Sequence, residues 1–218
     1  MKNIIFVPGL TSPFHESHKS AYESLIKESE QRGYLSKMVC LPGQINEQGD
    51  IQGILSPESS IEALTKILVE LEQTQEKYRL VGFSSGCAVV ISTIYKLQVL
   101  TGLEAVVLWG TVPFWHVWRV FVLGKDRDGL GKGTNIIQPE EKFFNQLEPL
   151  EFLLPLIDYP TTIALGKDDP YISVSYIDYL KSITSENNKK NFIFKIIEGC
   201  KHTVKPSENW QGYLSTIF

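Results

Sequence analysis

The sequence predicts an α/β protein, a mostly parallel sheet of about six strands flanked by helices. Short apolar runs without alternation, helical patterns between them, and one strand–turn–helix junction pinned by glycines carry that prediction. The runs are "NIIFVPG" at 3–9, "SKMVCLPG" at 36–43, "YRLVGFS" at 78–84, "EAVVLWG" at 104–110, "TTIALGK" at 161–167 and "NFIFKIIEG" at 191–199. Each is rich in β-formers and ends in turn residues, as strands buried on both faces do.

The segments between these runs read as helices. Residues 58–76 start at Ser56-Pro57, carry "SSIE" as a capping box, and put Ile61, Leu64, Leu68 and Leu71 on one face. Residues 18–32 form a weaker amphipathic pattern through Tyr22, Leu25 and Ile26 that Gly33 stops. A third helix is expected from Ser85 to about Leu100, and "SVSYIDYLKSIT" reads as a fourth. Strand and helix alternate, so right-handed crossovers are expected, with ligands at the carboxyl ends of the strands.

One interval departs from the rhythm. Residues 111–156 are too long for a simple connection and contain Gly124, Gly129, Gly131 and Gly133, so a cap or lid inserted within a single domain, 1–218, is expected there. Its aromatic cluster, Phe114, Trp115, His116, Trp118 and Phe121, has two readings. Trp115, His116 and Trp118 line an apolar substrate pocket, or the cluster is the lid's own core.

Composition excludes several classes of function. A formal net charge of -4 argues against nucleic-acid binding, which needs a basic face. The span 106–123 is long enough for a membrane helix, but Gly110 and Pro113 break it and His116 and Arg119 would be uncompensated in lipid, so no membrane span is expected. The start "MKNIIFVPGLTS" is a first strand rather than a secretory leader, because Pro8-Gly9 interrupts the apolar run and no small-residue cleavage site follows. Cys40, Cys87 and Cys200 make no paired framework, which places the chain in the reducing cytoplasm with three small packed thiols. Cys200 falls in a loop, where exposure is the alternative to packing.

Two further motifs lack the spacing their chemistry needs. "GLGKGT" at 129–134 is not a phosphate-binding G-x-x-x-x-G-K-[ST], and no strand feeds it. "HESH" at 15–18 is not H-E-x-x-H, so no metal is expected and the segment reads as a solvated helix start.

The junction "GFSSG" at 82–86 centres G-x-S-x-G on Ser84, with the strand "YRLV" before it and the helix "GCAVVISTIYKL" after it. Glycine at both flanks permits the close approach of strand, turn and helix that a strained elbow needs. With this junction the chain resembles the α/β-hydrolase superfamily over nearly its whole length, in a compact form lacking the first strands. The resemblance implies Ser84 as nucleophile and the chain order nucleophile, acid, histidine. A serine hydroxyl needs a base to take its proton. His202, in "IIEGCKHTVK" after the last strand, meets that order, whereas His15, His18 and His116 do not. The end of the fifth run offers both Asp168 and Asp169, and the family's G-x-x-D pattern selects Asp169. A tetrahedral oxyanion needs two backbone N–H donors. Ser85 supplies one at the helix start, and the resemblance puts the other at Leu10, although this chain has Pro8-Gly9 where many relatives have His-Gly.

These expectations describe a serine hydrolase of small-molecule carboxylic esters or thioesters that uses no cofactor. The same residues suit an acyltransferase or carrier-protein thioesterase, and a non-catalytic binding protein on this fold is the alternative outside enzymes. A dehalogenase is disfavoured because Ser84 stands where those relatives have a carboxylate. An oxidoreductase is disfavoured because no dinucleotide fingerprint follows the first strand.

Overall fold

The computed structural model describes residues 2–111, 150–184, 191–202, 205–206 and 208–218. Six strands, β1 (Lys2–Val7), β2 (Tyr34–Met38), β3 (Tyr78–Phe83), β4 (Leu103–Trp109), β5 (Thr161–Gly166) and β6 (Phe192–Ile197), form one sheet in the order β2-β1-β3-β4-β5-β6. Every neighbouring pair is parallel. All six fall within or beside the apolar runs read from the sequence.

Helices cover both faces: α1 (Glu16–Gln31), α2 (Pro57–Gln73), α3 (Ser85–Leu97), the short α4 (Leu150–Leu153), α5 (Val174–Ile183) and α6 (Trp210–Ile217). The pleat sorts each strand between two core layers. Ile5 and Val7, Leu80, Val106 and Leu108, and Ile163 and Leu165 pack with α2, α3 and α5 on one face. Ile4 and Phe6, Val81 and Phe83, and Val107 and Trp109 pack with α1 and α6 on the other. Strands apolar at every position therefore have a covered face on each side, which is why their runs show no alternation.

In α2 the buried stripe Ser60, Ile61, Leu64 and Leu68 follows helical spacing, and full burial of Leu64 and Leu68 is worth about 1.5–3 kcal/mol each. Its cap differs from the reading "SSIE". Ser56 is the N-cap, Ser59 closes the capping box, and Pro57 starts the helix. The serine at the chain bend is the one with extended backbone, so it has the geometry to accept from the N–H of Ser59 at 3.0 Å.

Helix α6 is absent from the sequence reading. It has only eight residues and holds Gly212, too short a window for periodicity to declare itself. Its start is fixed by Asn209, whose side chain accepts from the N–H of Gly212. Of the expected cap, residues 112–149 lie outside the described residues, with Trp115, His116, Trp118 and the glycine-rich run at 129–134 among them. Residues 150–156 are described, as α4 and a 3-10 turn. Among the described residues no helix is long and apolar enough to cross a membrane.

Candidate active site

The carboxyl ends of β1, β3 and β4 and the loop after β6 meet at one cavity, which Asp169, after β5, reaches only through His202. At the end of β3, Ser84 has φ 51° and ψ −122°, a left-handed conformation that costs a non-glycine residue roughly 1–3 kcal/mol. Its surroundings hold it there. The Ser84 N–H donates to the carbonyl of Trp109 at 2.9 Å, and its own carbonyl accepts from the Cys87 N–H at 3.0 Å. A Cβ on Gly82 would come within 2.8 Å of Cys87 Cα, and one on Gly86 would strike the carbonyls of Val7 and Pro8. The two glycines let strand, helix and the β1 loop press together around the serine.

Beside it, the loop after β1 brings Gly9 and Leu10 to the cavity wall. Neither the Leu10 N–H nor the Ser85 N–H has a hydrogen-bond partner among the described residues. The reason at Leu10 is Gln44, which is 1% exposed. Its amide donates to the carbonyl of Gly9 at 2.8 Å, while its oxygen accepts from the Leu41 N–H at 3.1 Å. The Ser12 hydroxyl ties the same loop to the Ile45 carbonyl at 2.6 Å.

On the other side, Asp169 and His202 are paired. Asp169 Oδ2 lies 2.7 Å from His202 Nδ1. The Asp169 side chain is fully buried, and its Oδ1 accepts from the N–H groups of Tyr171 and Ile172 at 2.8 and 3.0 Å. Three hydrogen bonds thus fix one carboxylate. The imidazole is held from its own backbone as well, since the Trp109 indole donates to the His202 carbonyl at 2.9 Å. With Nδ1 engaged, Nε2 is the ring nitrogen left for the cavity that His202 and Ser84 both line. Asp168 is exposed, and its backbone N–H donates to the Cys200 carbonyl at 3.0 Å.

The cavity measures about 90 Å³. A single water needs about 10–15 Å³ on the same scale, so a group of several heavy atoms fits. Its walls include Phe83, Trp109 and Trp210, with His18, Tyr22 and Tyr213 as polar members, and no carboxylate among the lining residues. The "HESH" segment starts α1: His15 is its N-cap and accepts from the Ser17 N–H. Among the described residues no group of three or more His, Cys, Asp or Glu side chains is placed to hold a metal.

Cys200 is packed, as read for all three thiols, rather than exposed as its loop position allows. It is fully buried, because α6 folds back over the loop, and burial first of all pushes its thiol up to about 11. Cys87 is fully buried behind the serine, its thiol pushed up to about 12 by burial. Sequence reasoning missed Gln44, Trp109, Tyr22 and Tyr213 as site residues. Their part depends on contacts between loops and helices distant in sequence, and no local motif marks them.

No family model matches the chain, and no curated protein does. Solved structures do resemble it. A bromoperoxidase from Bacillus anthracis superposes with a TM-score of 0.71 at 15% identity, over 99% of this chain and 90% of that one. A thermophilic esterase from Thermogutta terrifontis gives 0.65 at 16% identity, over 100% and 88%. A lipase-esterase related protein from Clostridium acetobutylicum gives 0.63 at 19% identity, over 99% and 93%. The parallel six-stranded sheet flanked by helices is thus an α/β-hydrolase fold.

Proposed function

We propose that this chain is a serine hydrolase that cleaves a small carboxylic ester or thioester through an acyl-enzyme on Ser84. The observation that carries this reading is the Asp169–His202 pair at 2.7 Å, whose imidazole lines the same cavity as a serine held at φ 51°. In this reading Ser84 Oγ attacks the acyl carbon while His202 Nε2 takes its proton. Asp169 holds the ring with Nδ1 protonated and stabilises the imidazolium. The oxyanion is met by the free N–H groups of Leu10 and Ser85, each worth on the order of 3 kcal/mol of barrier. His202 then delivers the proton to the departing alcohol or thiol. Water, deprotonated by the same nitrogen, attacks the acyl-enzyme and releases the acid and Ser84.

The test is Ser84→Ala. Hydrolysis of 4-nitrophenyl esters should vanish while the melting temperature stays near that of the parent protein, and a fluorophosphonate probe should label Ser84 of the parent alone. Retained hydrolysis in the variant, or a folded parent that the probe does not label, would sink the reading.

A further inference from the structure

The cavity contains two phenols for which attack by Ser84 has no use. Tyr22, on α1, and Tyr213, on α6, both line it. Their rings flank Phe83, the residue before Ser84, with centroids 5.6 Å and 6.5 Å from that ring. Tyr213 is only 4% exposed. Neither hydroxyl has a hydrogen-bond partner among the described residues. Neither oxygen is sealed inside the protein, since the buried polar atoms without partners are Ser36 Oγ, Arg79 Nε, Thr111 Oγ1 and Glu151 Oε2. A phenol in a pocket wall with no protein acceptor offers its O–H to whatever fills the pocket.

We propose that Tyr22 and Tyr213 determine specificity, their hydroxyls donating to a carboxylate at the far end of a short acyl group whose carbonyl sits at Ser84. This rests on the hydrolase reading and adds the substrate class, a half-ester or half-thioester of a small dicarboxylic acid. Several features agree on it. Among the described residues no carboxylate lines the cavity, and His18 adds a further ring to the same wall. Phe83, Trp109 and Trp210 supply apolar surface for the methylenes between the two acyl ends. A volume of about 90 Å³, with both phenol rings packed on Phe83, the residue before the nucleophile, limits the chain to a few carbons. Burial holds both phenols protonated well above the usual tyrosine range, so they act as donors throughout the working pH. Hydrogen bonds to a charged acceptor are the stronger kind, and an acyl group ending in methyls would leave both hydroxyls desolvated and unpaired.

The experiment compares ethyl hydrogen succinate with ethyl 4-methylpentanoate, near-isosteres that differ in the terminal carboxylate, by release of ethanol. The parent protein should favour the half-ester in kcat/KM by roughly tenfold or more, and Tyr22→Phe/Tyr213→Phe should erase that preference by lowering kcat/KM for the half-ester far more than for the neutral ester. A ratio unchanged by the double variant overturns the proposal, because a merely structural role would lower both substrates alike. A second measurement separates it from the serine chemistry. Calorimetry should show succinate binding to Ser84→Ala protein and roughly tenfold weaker binding once both phenols are removed. Absence of succinate binding, or equal binding with and without the hydroxyls, overturns the specificity role even if Ser84 proves nucleophilic. If neither ester is cleaved and no probe labels Ser84, the hydrolase reading falls, and succinate binding that depends on the phenols still supports their role in recognising the anion.

Discussion

His202 Nδ1 and Asp169 Oδ2 lie 2.7 Å apart, and the carboxylate on one side of that contact is completely buried while the imidazole on the other keeps 16% of its side chain accessible. The neighbouring residue, Asp168, is exposed, and its backbone N–H donates to the Cys200 carbonyl. Asp169→Asn should therefore favour the wrong imidazole tautomer and lower kcat by about 10⁴-fold, whereas Asp168→Asn should leave kcat/KM unchanged. Steady-state ester hydrolysis measures both, and equal losses would refute the division of roles.

Gln44 fastens the Gly9–Leu10 peptide, and both residues line the cavity. Gln44→Ala strands the Gly9 carbonyl and the Leu41 N–H, which should cost about 1–3 kcal/mol in urea unfolding. Under the proposed function the amide acts through the position of one oxyanion donor, so kcat should drop by on the order of tenfold or more, with a much smaller change in KM. A loss confined to KM would place Gln44 in substrate binding instead.

The centre of the sheet was legible because β1, β3, β4 and β5 are largely buried on both faces and appear as apolar runs, whereas the border strands β2 and β6 are partly exposed, and the residues at or just past the runs include Ser84, Asp169 and His202. Local sequence marks such positions well: Gly82 and Gly86 flank the serine, and Gly166 stands three residues before Asp169. Contacts between segments far apart left no such mark. Gln44 reaches Gly9 across thirty-five positions, and Tyr213 reaches Phe83 from a helix too short to show a period. The same helix buries Cys200, whose loop position left both exposure and packing open.

Thiol chemistry offers a test of burial that does not depend on activity. Cys87 and Cys200 are fully buried and their thiols are pushed up to about 12 and about 11 respectively, while Cys40 is half-buried. In the folded protein at about pH 8, a disulfide reagent should react only with Cys40, slowly, and with all three thiols after denaturation. Rapid modification of Cys87 without unfolding would contradict the packing behind Ser84.

Glu151 is 5% exposed, with Oε1 accepting from the Tyr176 hydroxyl at 3.1 Å and Oε2 unpartnered. Burial raises its carboxyl above the usual glutamate value. Native protein then holds this proton more tightly than the unfolded chain, so its stabilising effect is full below the usual glutamate value and is lost as pH rises through the raised native value. Glu151→Gln removes that loss. Urea unfolding should find the variant more stable than the parent at about pH 8 and no more stable at about pH 4. A gain of equal size at both would rule out titration as its source.

The order of strands gives the two halves of the site unequal mechanical support. Ser84 ends β3, which is clasped between β1 and β4, while His202 follows β6, bonded to β5 alone among the described strands. An outer strand opens at lower free energy than a central one. Fraying at that border would part the base from the serine while the layers packed on α2 and α3 stay intact. Inactivation by denaturant would then run ahead of the loss of helical signal, and what fails first is the connection between two sound pieces.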